Sequence, residues 1–334
     1  MSDLTVADVL SLSHCSYDSS FCASLAEKFI EAPMWECDGV ANIQPGGGNW
    51  LGHVFPGSLF VFWASHWLLG FVRQYFECQR QGRPYTSKTC YRFLWFPESW
   101  PLEAITKFLM PIVNMLLEVW LAHIGLEGYK YLICPSGTSR AGHIYGENIG
   151  NWQHAFMYPG FIVSGVIDLV HTWVEIPHGL SLVFLGLGLA TPTFMMFIHN
   201  QFHAPFDELV HSLLFYTLCT TCICTLAESA WPHNPLLTTG RIAGMFLQGA
   251  WFIGAARMLY DGNTAPWDTV GDTDMSPLMY APILYLILVA TVIVGILAVF
   301  MLGYIIYRPG KWESRMGKSL ENLHDEEDPH QRLG

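Results

Sequence analysis

Residues 179–226 read GLSLVFLGLGLATPTFMMFIHNQFHAPFDELVHSLLFYTLCTTCICTL, two apolar stretches separated by a polar island. Neither 179–198 nor 209–226 contains a Lys, Arg, Asp or Glu. A membrane-crossing helix needs about 20 predominantly apolar residues, so both stretches read as spans, and residues 199–211 fall at the edge of the hydrocarbon. That island carries His199, His203, Asp207 and His211. Ionisable groups at such a depth are costly unless they bind one another, a metal, a substrate or water. The stretch therefore fixes a fold class and marks a polar site together.

The same pattern continues outward. Of 334 residues 51% are apolar and only 13% charged, against about 25% charge in ordinary soluble domains. Windows 55–71 and 278–307 are also free of charge, and 152–173 is interrupted only by Asp168. Two further windows complete the set: 105–126, which contains Lys107 and Glu118, and 242–256, flanked by Arg241 and Arg257, which can snorkel outward. The expectation is an all-α polytopic membrane protein, a seven-transmembrane-helix bundle. Its parts would be an extracytosolic N-terminal segment over 1–50, the membrane domain over 51–307 and an acidic cytosolic tail over 308–334. With no basic start and apolar run in the first fifty residues, the first span is expected to act as its own targeting signal.

Seven spans place twelve of the sixteen Lys and Arg residues on the side of the C-terminal tail and four on the other. By the positive-inside rule, the N-terminus faces the lumen or exterior and the C-terminus the cytosol of an endomembrane or plasma membrane. Cys15, Cys22, Cys37 and Cys134 then share the oxidising side, where two disulfides in any of three connectivities are open to them.

Alternating helix direction also predicts which polar residues meet. His53 begins span one, Glu118 and His123 end span two, and His154 lies in the first turn of span three after Asn151, read as its N-cap. His199 ends span four, and Asp207 and His211 begin span five, four residues apart and so on one helix face. Pro205 suits that helix's first turn. The expected metal ligands are His154, His199, His211, His53 and His203, with Asp207 and Glu118 as the catalytic carboxylates. Imidazole suits zinc and similar divalent metals, and a carboxylate completes many such sites. The same groups also serve proton transfer, because His titrates near neutral pH, or a plain hydrogen-bond network. On the opposite side His66, Asp168, His171 and Glu228 read as ion-paired or hydrogen-bonded between helices, with Asp168 and His171 as neighbours three apart. Gln248, among Gly244, Gly249 and Gly254, reads as close helix packing held by an amide. No nucleotide-binding loop, nucleophile elbow or HExxH motif occurs, and nothing in the chain suits a nucleic-acid partner.

Several of these residues also carry a resemblance. Gly52-His53-x-x-Pro56-Gly57, Asn151-Trp152-Gln153-His154-x-x-Met157-Tyr158, Ser164-Gly165-x-x-Asp168, His199-Asn200 with Asp207-x3-His211-Ser212-Leu213-Leu214, Leu247-Gln248-Gly249-x-Trp251 and Pro266-Trp267-Asp268 stand in order over about 51–307. Together they resemble the transmembrane protein 45 family, multi-pass membrane proteins with a domain of unknown function. The resemblance implies seven helices in an endomembrane or cell-surface membrane. The chain departs from the pattern at Leu209, where members carry a further His; His203 could replace it. Two functional expectations stand side by side. One is a metal-dependent hydrolase acting on a lipid, with the bilayer and a lipid or small molecule as its partners. The other is a transporter, receptor-like or scaffold protein whose His cluster is structural or pH-responsive.

Overall fold

The computed structural model describes residues 37, 48–93, 96–97, 99–120, 129–200, 205–260 and 275–307. Among them the regular structure is helical: α1 (Gly48–Arg80), α2 (Leu102–Val119), a 3-10 turn (Gly146–Asn148) running into the short α3 (Ile149–Ala155), α4 (Pro159–His171), α5 (Leu180–His199), α6 (Pro205–Ala230), α7 (Pro235–Tyr260) and α8 (Ser276–Tyr307). No strand occurs among the described residues beyond an isolated bridge between Ile133 and Ile144. Packing follows the order α2, α4, α5, α6, α7, α1, with α8 laid against α1, α7 and α6.

Five helices are long and apolar enough to cross a membrane: α1 over Trp50–Arg80, α5, α6, α7 and α8. The two that fall short are instructive. α2 has 18 residues and buries Glu103, Lys107, Asn114 and Glu118 on its inner face, while Leu109, Val113 and Leu116 face outward. The expected third span is broken. The chain turns at 156–158, Pro159 starts α4 at a position where its missing N–H is harmless, and α4 is only 13 residues long. His154 therefore sits on the separate helix α3, and Asn151 lies inside α3 while Asn148 occupies the N-cap position. α7, by contrast, outgrows the window 242–256 and reaches 26 residues. Arg241, expected to snorkel, is fully buried instead, because a carboxylate waits for it inside the bundle.

Two apolar clusters fill the interior. One gathers Trp67, Phe71, Tyr85, Tyr91, Leu185 and Ile242; the other joins Val210, Leu214, Leu218, Trp251 and Ala281, with Leu209 packed against it. α1 and α7 pack backbone against backbone. A Cβ on Gly249 would lie 2.6 Å from the carbonyl oxygen of Gly57 and 2.7 Å from the amide nitrogen of Val61, so the backbones touch where only glycine fits. Gln248 next to it donates to Thr221 Oγ1 at 2.8 Å, as the sequence suggested.

Cys37 and Cys134 form a disulfide with their Cα atoms 5.6 Å apart; Cys15 and Cys22 lie outside the described residues. The loop carrying Cys134 straps α3 in place, since Trp152 Nε1 donates to the Lys130 carbonyl and Asn148 Nδ2 to the Tyr131 carbonyl, both at 2.9 Å.

Candidate functional site

Five helix ends and the strap of α3 meet at one pole of the bundle. His53 comes from the start of α1, Glu118 from the end of α2, Gln153 and His154 from α3, His199 from the end of α5, Asp207 and His211 from the start of α6, and Tyr260 from the end of α7. Asn200 Nδ2 donates to Ser212 Oγ at 2.7 Å, which pins the end of α5 to the first turns of α6. Trp251 Nε1 donates to the Val210 carbonyl at 2.9 Å and fixes α7 behind His211.

His154 and His199 touch through their Nε2 atoms, 3.3 Å apart, with ring centroids 4.8 Å apart. Their other nitrogens face acceptors. His154 Nδ1 lies 3.5 Å from Glu118 Oε2, and His199 Nδ1 lies 2.8 Å from Gln153 Oε1. His211 repeats the pattern, its Nδ1 being 2.6 Å from Asp207 Oδ1 and 3.0 Å from the Asp207 carbonyl. The His211 ring stands edge-on to His199 at 5.6 Å between centroids and to His53 at 5.9 Å. Tyr260 closes the far side, 5.1 Å from the His53 ring. His53, Glu118, His199 and His211 are buried, whereas His154 and Asp207 keep about a quarter of their side-chain surface open.

Six of the seven expected site residues are thus brought together; His203, with His123, lies outside the described residues. Glu118 and Asp207 stand against imidazole Nδ1 atoms, so they orient rings. Leu209 belongs to the apolar cluster and takes no part. Gln153 and Tyr260 escape a sequence reading because an amide and a phenol carry no charge to flag them. Among the described residues no three His, Cys, Asp or Glu side chains converge closely enough to hold a metal ion as they stand: two Nε2 atoms touch, and the third ring stands off.

The opposite pole is built from charge pairs. Glu103 accepts from Trp63 Nε1 at 3.1 Å, from Trp67 Nε1 and from the Tyr91 amide, and meets His66 Nε2 at 3.1 Å. Lys107 Nζ sits 2.6 Å from Asp168 Oδ2, and Thr89 donates to the other oxygen at 2.8 Å. Arg241 Nε meets Glu228 Oε2 at 2.6 Å, its Nη2 donates to the Lys88 carbonyl at 2.9 Å, and the guanidinium lies over the Trp67 ring. His66, Asp168 and Glu228 are paired as expected, but Asp168 takes Lys107 rather than His171, which is exposed. Spacing of three made Asp168 and His171 neighbours; the buried ammonium of α2 is the stronger partner. The clue was present, because acids inside spans require bases and Lys107 and Arg241 were the nearest ones. Between these pairs, burial pushes the Cys90 thiol well above the ordinary thiol range, with Lys107 opposing, so Cys90 is no ready nucleophile.

Residues 178–307 match the profile described as "Family of unknown function (DUF716)". The matched stretch covers α5 through α8 and hence His199, Asp207, His211 and Tyr260. It does not reach α1, α2 or α3, which supply His53, Glu118, Gln153 and His154.

Proposed function

We propose that the chain is a seven-span membrane protein of the transmembrane protein 45 type whose His pole binds a divalent metal, zinc first, and hydrolyses a membrane lipid there. One observation carries the metal. His154 and His199 bring their Nε2 atoms within 3.3 Å of each other, while Gln153 Oε1 lies 2.8 Å from His199 Nδ1 and Glu118 Oε2 lies 3.5 Å from His154 Nδ1. Two nitrogens about 2.05 Å from a tetrahedral zinc lie about 3.3 Å apart, the spacing found. Metal-binding imidazoles characteristically give their other N–H to a carboxylate or carbonyl; His199 Nδ1 faces Gln153 Oε1 and His211 Nδ1 the Asp207 carbonyl in this way, and Glu118 Oε2 stands 3.5 Å from His154 Nδ1. His211, its ring centroid 5.6 Å from that of His199, would be the third ligand, with His53 behind it. Zinc held there would supply Lewis acidity; the chain's part would be to orient the imidazoles through Glu118, Gln153 and Asp207.

The two remaining crossings are α2 and the α3–α4 pair. An 18-residue helix rises about 27 Å, close to the roughly 30 Å of hydrocarbon, and the charges of α2 face inward. Lys107 and Arg241 are engaged in buried pairs, which leaves ten basic residues on the tail side against four. The Cys37–Cys134 bond near α3 supports an oxidising compartment for the His pole.

Metal content of detergent-purified protein tests this reading. Stoichiometric zinc that vanishes in His154→Ala and His199→Ala is expected; metal-free wild type, after zinc supplementation and desalting, overturns it. A second reading rests on the direct Nε2 contact: a proton shared by the two rings, making this pole respond between about pH 5 and 8. It wins if the protein is metal-free and the imidazole NMR signals of both rings move together through that range.

A further inference from the structure

A narrow apolar cavity of about 50 Å³ lies between α1 and α2, backed by Tyr158 just before α4, Phe161 of α4, Leu185 of α5 and Met245 of α7. Pro56, Leu59, Phe60 and Trp63 of α1 face Met110, Pro111 and Asn114 of α2 across it. The two helices are bridged at the ion-pair pole by the Trp63, His66 and Trp67 bonds to Glu103. Towards the His pole the cavity separates them, and the half-buried Leu59, Trp63 and Met110 frame its open side.

Three facts choose the occupant. Its wall is almost wholly apolar; Lys107 is engaged with Asp168 and the Thr89 carbonyl, and Asn114 Nδ2 with the Met110 carbonyl at 2.8 Å. Water needs two to four polar partners and does not fill such a space. In the seven-span reading the open side lies where α1 and α2 border hydrocarbon. The lined part of α1, from Pro56 to Trp67, rises about 16 Å, and one leaflet of a bilayer is about 15 Å of hydrocarbon. At the other end the cavity abuts the His pole, since Asn114 is one turn before Glu118 and Tyr158 is four residues after His154.

We propose that this crevice takes one acyl chain of a membrane phospholipid, which enters sideways between α1 and α2 and presents its ester at the Glu118–His154 edge. The placing of the ester rests on the metal reading above; the chain site does not. The cavity as it stands holds only a few methylenes, so Leu59 and Met110 part as the chain enters.

The test uses full-length protein in phosphatidylcholine nanodiscs containing phosphatidylcholine with a mid-chain diazirine. After irradiation, label is expected on the buried Leu185 and Met245, at least five-fold above the equally buried Leu214, which lies away from the crevice. The pair Leu59→Trp/Met110→Trp should abolish that label while leaving label on the lipid-facing Leu286 unchanged. Label on Leu185 no higher than on Leu214 in wild type overturns the proposal, as does label that persists in a folded tryptophan variant. A variant that fails to fold leaves the wild-type comparison decisive. Crevice label in protein shown to bind no zinc overturns the metal centre alone; zinc without crevice label overturns the chain site alone.

Discussion

The two poles of the bundle bury similar numbers of ionisable groups and treat them in opposite ways. At the ion-pair pole each acid has a base or several N–H donors, and the pairs tie the 81–101 segment to α1, α2, α4 and α7. At the His pole the acids and the Gln153 amide face imidazoles, and the imidazoles face each other. Saturated pairs have no coordinating atoms to offer and serve to hold helices together. Imidazoles stacked edge-on and held by neutral or long contacts contribute less cohesion. On the proposed reading, stability and chemistry are divided between the ends of the same helices.

Removing one member of a saturated pair breaks that contrast most severely. Arg241→Ala leaves Glu228 buried and uncompensated, and should cost about 3–5 kcal/mol in detergent-based unfolding. Replacing both by apolar residues, Glu228→Leu with Arg241→Met, should restore most of the loss; a double variant as unstable as the single one would mean the pair does more than neutralise itself. Between the poles, Gly249→Leu forces α1 and α7 apart and should cost about 1–3 kcal/mol, whereas Gly254→Leu, whose nearest neighbour is 3.9 Å away, should unfold like wild type. At the His pole, His199→Ala should cost only about 1 kcal/mol, the scale of one net hydrogen bond, yet remove zinc. Zinc should also dissociate as pH falls below about 6, because ligating imidazoles must be neutral. If His199→Ala proved as destabilising as Arg241→Ala, the division between the poles would fail. Smallest of all, Gln248→Met should lose about 0.6 kcal/mol, typical of an interhelical bond in a bilayer.

What was legible in the sequence follows from which signals are one-dimensional. Charge-free runs located every long helix, and alternation of direction put His53, Glu118, His154, His199 and His211 on one pole before any coordinates. Partner choice is not one-dimensional. Lys107 and Arg241 looked like flanking or misplaced charges, and only the fold brings Asp168 and Glu228 to them. The break at 156–158 was signalled by Pro159 but masked by apolar residues on both sides, so α3 was read as part of a continuous span. The third ring's distance, which decides whether a ligand set is closed or open, depends on side-chain rotamers that spacing does not encode.

The Gly57–Gly249 contact sets a schedule for the chain's birth. Its two glycines are 192 residues apart, and ribosomes add about 5–20 residues per second. The first helix therefore stands in the membrane for about 10–40 s before the surface it was shaped for exists. Throughout that interval His53 and the α1 wall of the crevice have no back to rest on. The α1–α7 seam forms only once α7 has been made.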